Sequence, residues 1–211
     1  MQRKIGPKVL FALVSGKYNR PKKVERIVLF IEIQDVKATI KRIGRIDFFN
    51  FLNDIIFDAS EIILHRKGDI YEYVENEILV TWDLDEGIDN ANCIRTFFEI
   101  KEALEANKIY YYEHYGTTPE LRASLHAGVL IQGVIGEVKS EIKYHGDVMN
   151  TAARILGKTN AEQNLMVSNY LADKIDLPSI YQRQNLGEFE LKGKQRSVQL
   201  SALSAAPVNL S

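Results

Sequence analysis

One cysteine, five prolines and a single tryptophan are all that the 211 residues hold of those types. The lone cysteine, Cys93, excludes a disulfide framework and any zinc site built on several thiolates; it reads as a small buried hydrophobe in a reducing compartment. With so few prolines and only 13 glycines the chain is neither collagen-like nor of low complexity, and an apolar share of 45% is too high for disorder. Charge of one sign is also missing. Against 28 acidic residues stand 27 basic ones, a formal net charge of -1, so no overall field draws a polyanion and no nucleic-acid partner is expected. No apolar run approaches the roughly 20 residues that span a bilayer, and the N-terminus lacks a signal pattern. These absences leave a soluble, cytoplasmic-type protein whose length suits one domain with an appendage.

Residues 1–26 read as a basic, turn-rich N-terminal arm, with Lys4, Lys8, Lys17, Arg20, Lys22, Lys23 and Arg26 among Gly6, Pro7, Gly16 and Pro21. Such an arm is solvated or, alternatively, a juxtamembrane or docking segment. One domain follows over 27–204, then a tail over 205–211. A buried strand is expected at 27–33, an apolar run broken by Glu32; an acid there must be paired, metal-bound or at the strand's exposed end. Ile40, Ile43, Phe49, Leu52, Ile56, Ala59 and Ile63 recur at helical spacing, predicting a helix over 39–66 that Gly68 ends. Residues 70–74 and 78–82 read as a hairpin in which Asn76 takes the positive φ. A second long helix is expected over 89–114, stopping at Gly116. Two strands over 122–138 break at Gln132-Gly133, a short strand falls at 142–144, and a helix covers 148–156. The remainder alternates short strands with one short helix. The order is mixed α/β, of the α+β kind, with helices over one face of a mostly antiparallel sheet.

The chemistry concentrates near Gly146-Asp147-Val148-Met149-Asn150-Thr151-Ala152-Ala153-Arg154-Ile155. Asn150 and Arg154 lie four apart and share a helix face. An amide beside a guanidinium suits negative charge developing on phosphate, and the amide can orient a sugar. By spacing alone, a surface helix capped by Asp147 is the plainer reading. This segment, with Tyr144-His145 before it, closely resembles the signature of the class III adenylate and guanylate cyclases. The resemblance extends through Arg122-Ala123-Ser124-Leu125-His126-Ala127-Gly128, Gly133-Val134-Ile135-Gly136-Glu137 and Leu191-Lys192-Gly193-Lys194, covering residues 24–203. It implies a ferredoxin-like nucleotidyl cyclase fold for the 27–204 domain and a head-to-tail homodimer, or a heterodimer with another cyclase domain. Sites at the interface would then bind a nucleoside triphosphate. The metal positions of the family fall on Glu32, Asn76 and the Ile33 backbone, where two Mg2+ or Mn2+ ions would neutralise the triphosphate and activate the 3′-hydroxyl. Asn150 and Arg154 of the other protomer would stabilise the transition state, Lys192 and Lys194 the triphosphate, and Glu72 with Lys143 would read the base. Gly16-Lys17-Tyr18 resembles the linker of bacterial members with an upstream membrane region, which would place the domain at the inner face of a membrane.

The sequence departs from the family at several of these positions. Glu32 replaces an aspartate and carries one extra methylene, a displacement of about 1 Å to which catalysis is sensitive. Glu75-Asn76 replaces a Gly-Asp turn, so a neutral amide stands where an anion is needed and the turn loses glycine's freedom. Asp35, in the loop expected to cradle phosphate, repels anions, although it suits a helix cap. Glu72 and Lys143 carry charges exchanged relative to the vertebrate adenylate cyclases. The acid can accept from guanine N1 and N2 and the lysine can donate to O6, favouring GTP over ATP; the alternative is a surface salt bridge between the two. His126 and His145 are not assigned to metal. Tyr71, Tyr73 and Trp82 supply either part of a dimer contact or core. The sequence thus reads as a catalytically degenerate cyclase domain, a dimerising and nucleotide-binding regulatory module in cyclic-nucleotide signalling. The alternative is an active adenylate or guanylate cyclase, alone or with a partner that supplies intact carboxylates.

Overall fold

The run of apolar residues after Arg26 forms the centre of a sheet because both of its faces are covered. The structure is a computed structural model that describes residues 20–135, 141–191 and 197–206. Strand β1 (Lys22–Ile33) lies antiparallel between β3 (Glu77–Asp83) and β4 (Leu121–Ile135). The sheet runs β2-β3-β1-β4-β6-β8-β7, where β2 is Asp69–Val74, β6 Leu165–Ser168, β7 Tyr181–Phe189 and β8 Val198–Ala205. A further strand, β5 (Glu141–His145), pairs with the outer half of β4. Among the described residues only β4 and β6 pair in parallel.

Alternate residues of β1 serve two cores. Ile27, Leu29, Ile31 and Ile33 pack in one cluster with Phe51, Ile55, Ala59 and Ile63 of α1 (Val36–His65). Val28 and Phe30 pack on the other face with Val148, Ala152 and Leu156 of α5 (Asp147–Leu156). The expectation of helices on one face is therefore corrected: α5 closes the second face, which is why β1 reads as continuous apolar sequence rather than as alternation. The strand also starts earlier than expected, taking Lys22 to Arg26 out of the anticipated arm. Arg26 is 3% exposed and pairs with Asp83 at 3.1 Å.

Helix α1 has its predicted extent but a different buried stripe. Phe48, Phe51, Ile55, Ala59 and Ile63 face the core, whereas Phe49 is 67% exposed. A kink at Gly44 separates the first turns from the rest, so residues on its two sides do not share one phase. The helix ends in a double reverse bond, Lys67 N to Leu64 O at 3.1 Å and Gly68 N to Ile63 O at 2.8 Å. The left-handed residue is Lys67 (φ 62), not Gly68. Gly68 is needed for space, since a Cβ there would lie 2.8–2.9 Å from Ile63, Val80 and Trp82.

The second long helix is divided. After α2 (Leu84–Ile88) and a single 3-10 turn come α3 (Asn92–Ala106) and α4 (Lys108–Tyr115), separated at Asn107 and closed by Gly116 as expected. Asn107 caps α3 through its backbone and donates its side-chain amide to Asp58, 3.1 Å away. Strand β4 runs unbroken through Gln132-Gly133, because Gln132 is buried and Gly133 simply faces Pro21. A short α6 (Asn169–Ala172) follows β6. Cys93 is fully buried, and burial pushes its thiol up to about 12. No helix among the described residues is long and apolar enough to cross a membrane.

Close approach of α5 to the sheet depends on Gly128 of β4. A Cβ there would come within 2.9 Å of Val148 Cγ2. Gly128→Ala is expected to lift α5, cost about 1–3 kcal/mol by overpacking, and shift the thermal unfolding midpoint down. The same lift would displace Asn150 and Arg154.

Candidate functional site

The hairpin turn and the end of β1 form one structural unit. Only Glu75 and Asn76 separate β2 from β3. The positive φ falls on Glu75 (φ 52), correcting its assignment to Asn76. Asn76 instead clamps the Ile33 peptide from both sides: Ile33 N donates to Asn76 O at 2.9 Å, and Asn76 Nδ2 donates to Ile33 O at 2.8 Å. Glu32 Oε2 accepts from Arg122 Nε at 2.9 Å and from Gln34 Nε2 at 3.0 Å. Thus Glu32, Ile33 and Asn76, predicted as a group, do lie together, and each is already engaged.

This chemistry does not fit a pair of divalent cations. The Ile33 carbonyl accepts from an amide, Asn76 directs an N–H at that carbonyl, and Glu32 is neutralised by a guanidinium. A hard cation prefers several anionic oxygens. Among the described residues no group of three or more His, Cys, Asp or Glu is arranged to hold a metal ion. Asp35 also differs from expectation. It sits in the left-handed region (φ 56) and its side chain makes no cap bond to α1, because an N-cap acceptor needs extended backbone geometry.

Glu77 stands opposite Glu32 in the β1–β3 register. Burial first, then the charges of Glu32 and Glu75, hold its carboxyl above the usual range. A carboxyl raised on folding favours the native state at low pH, and that contribution is lost as pH rises through the folded value. Glu77→Gln is therefore expected to raise the melting temperature at neutral pH. Its advantage should vanish once the medium is acidic enough to protonate Glu77 in both states. An equal difference at every pH in a melting series contradicts the assignment.

On the opposite wall, α5 is capped by Gly146, whose φ of 151 and ψ of 174 favour glycine. Its apolar side is buried, and Ser124 Oγ on β4 donates to Ala152 O at 2.7 Å. Asn150 is left exposed and Arg154 half-buried. Neither side chain makes a hydrogen bond or ion pair among the described residues. Asp147 is the first residue of this helix rather than its cap.

Glu72 and Lys143, expected from the sequence to read the base, do not form the salt bridge considered above. Glu72 is exposed on β2, while Lys143 on β5 pairs with Glu141 at 3.2 Å, which holds its ammonium in the charged form. Lys192, Lys194 and Gly136-Glu137 lie outside the described residues. His126 Nδ1 lies 2.8 Å from Ser168 Oγ and His145 is exposed. Trp82 is wholly core, with Nε1 donating to Arg66 O at 2.9 Å, whereas Tyr73 remains exposed. Sequence reasoning missed the role of Arg122, although it lies in a quoted motif, and that of Arg26, whose signal was its place just before the apolar run.

A mostly antiparallel sheet with the Gly-Asp-Val-Met-Asn-Thr-Ala-Ala-Arg helix across one face defines a class III nucleotidyl cyclase domain. Residues 20–202 match the adenylate and guanylate cyclase catalytic domain, and the chain belongs to that family. It is 31% identical over 206 residues to adenylate cyclase 2 of Rhizobium meliloti (strain 1021), covering 97% of this chain and 57% of that protein. To the receptor-type guanylate cyclase gcy-10 of Caenorhabditis elegans it is 27% identical over 173 residues, 79% of this chain and 16% of the receptor. The chain thus spans little more than half of the first relative and a small part of the second. In fold it is similar to the adenylyl cyclase CyaB from P. aeruginosa, with a TM-score of 0.79 and 16% identity over 91% of this chain and 100% of that one. The guanylyl cyclase Cya2 gives a TM-score of 0.75 with 20% identity, over 90% and 98% of the two chains.

Proposed function

We propose that this cyclase domain is catalytically degenerate and serves as a dimerising, nucleotide-binding regulatory module in cyclic-nucleotide signalling. The observation that carries the reading is the clamp at the metal positions: the Asn76 amide on the Ile33 carbonyl, with Arg122 on Glu32. These bonds engage the groups that would otherwise meet cations. On this reading Asn150 and Arg154 retain their part, contacting the phosphates or ribose of a nucleoside triphosphate across a two-fold interface. Lys192 and Lys194 add charge at the triphosphate. Glu72 and Lys143 together favour guanine over adenine for any base that reaches both. The module acts in the cytoplasm, at the inner face of a membrane if a membrane region precedes it.

A second reading is supported by the unengaged Asn150 and Arg154 and by the relative named adenylate cyclase 2. An active nucleotidyl cyclase would then form with a partner that supplies both carboxylates, and Mg2+ or Mn2+ would be held mostly by that partner.

Light scattering and calorimetric titration with GTP test the first reading. A dimer is expected at micromolar concentration, binding triphosphate without added metal. Arg154→Ala should weaken that binding about tenfold, the scale of a lost charge-assisted bond. A monomer that binds no nucleotide contradicts it.

A further inference from the structure

The tyrosines beside the two base-reading positions touch each other across the sheet. Tyr71 lies on β2 and Tyr144 on β5, with β3, β1 and β4 between those strands. Four spacings of about 4.8 Å would hold the strands roughly 19 Å apart if the sheet were flat. Yet the rings stack with centroids 4.8 Å apart and planes at 24°. The sheet therefore curls, and the stack spans its concave side, the same side on which both rings pack with Val28, Phe30, Met149 and the rest of the α5 cluster.

The stack is held from below and from the side. Arg26, on the central strand, donates from Nη2 to Tyr144 Oη at 2.7 Å, and its guanidinium lies 5.4 Å from the centre of that ring. Asp83 and Asp69 fix the same guanidinium at 3.1 and 3.8 Å. Lys143 Nζ lies 5.8 Å from the centre of the Tyr71 ring and bonds Glu141. A β-bulge between Ile70 and Glu72 makes Tyr71 the extra residue of its strand, which brings it into the cluster beside Glu72.

From this arrangement we infer that the Tyr71–Tyr144 stack is a built-in roof over the base site, so that a bound nucleotide is held by its phosphates and sugar while its base edge is not read. The inference rests on the proposed nucleotide binding and specifies its selectivity: nucleoside triphosphates of either purine. Glu72 and Lys143 have complementary chemistry for guanine, but the rings joining their strands keep a base from meeting both. A stacked, cation-flanked aromatic pair resists opening because aromatic contact and cation–π attraction both favour the closed state.

The test compares GTP and ATP affinity by calorimetry in the full chain, in Tyr71→Val and in Tyr144→Leu, with circular dichroism to confirm folding. The parent protein should bind the two nucleotides within about threefold. Opening the stack by either route should favour GTP about tenfold or more, the discrimination expected when a polar site meets the wrong hydrogen-bonding edge. A parent that already separates the nucleotides tenfold overturns the inference, and so do folded variants whose ratio stays at the parental value. A parent that binds neither nucleotide overturns it as well, since no phosphate and sugar contacts would then hold a nucleotide with its base unread. Cyclic product formation reports on the proposed degeneracy and not on this ratio, so the two ideas fail separately.

Discussion

Glu32→Asp combined with Glu75→Gly and Asn76→Asp is expected to raise Mn2+-dependent nucleotide affinity about tenfold or more, one charged ligand gained at a hard-cation site. Asn76→Asp removes the N–H that now bonds Ile33 O and places an anion beside a freed carbonyl. Glu75→Gly relieves a left-handed backbone on a residue with a Cβ. Glu32→Asp withdraws the carboxylate from its bond to Arg122 and toward the family geometry. Without metal, the new carboxylate would crowd the acid at position 32 and Glu77, whose carboxyl in the parent is already raised by burial and by Glu32. The triple variant should therefore be stabilised by Mn2+ in thermal melts where the parent is not. No metal dependence in either calorimetry or melting would mean that the hairpin no longer places the turn where a metal could be shared.

Changing Lys67 and Gly68, which follow the Arg66 cap of α1, should move stability in opposite directions. Gly68→Ala is expected to cost about 1–3 kcal/mol, because the added methyl meets Ile63, Val80 and the Trp82 ring, all of them fully buried. For a chain of this size each kcal/mol is worth roughly 2–4 °C of melting temperature. Lys67→Gly should raise the melting temperature, since the left-handed position belongs to Lys67 and its partner Asp89 is exposed. Were Gly68 the conformationally demanding residue, Lys67→Gly would bring no gain.

That pair shows where local sequence stops being sufficient. A glycine after a helical pattern signals an end, and the end is there, but which residue turns left-handed is decided by what Gly68 must pack against in β3. Phe49 similarly fits an apolar spacing counted from Ile40, and the kink at Gly44 cancels that phase. The break at Asn107 answers to Asp58, 49 residues away, and no periodicity carries such a bond. The centre of the sheet was readable because an apolar run with one acid has few alternatives. The placing of Asn150 and Arg154 on one helix was readable from their spacing, which is local. Arg122 and Arg26 act through partners on other strands, so their roles emerge only once β1 is set between β3 and β4.

The most direct measurement of the proposed degeneracy is product formation: purified protein with Mn2+ and each of the four nucleoside triphosphates, cyclic products read by mass spectrometry. With the Ile33 carbonyl and Glu32 engaged by Asn76 and Arg122, no cyclic nucleotide above a protein-free control is expected. Turnover on the order of 1 s⁻¹, abolished by Asn150→Ala, would contradict that reading and establish the chain as a working cyclase.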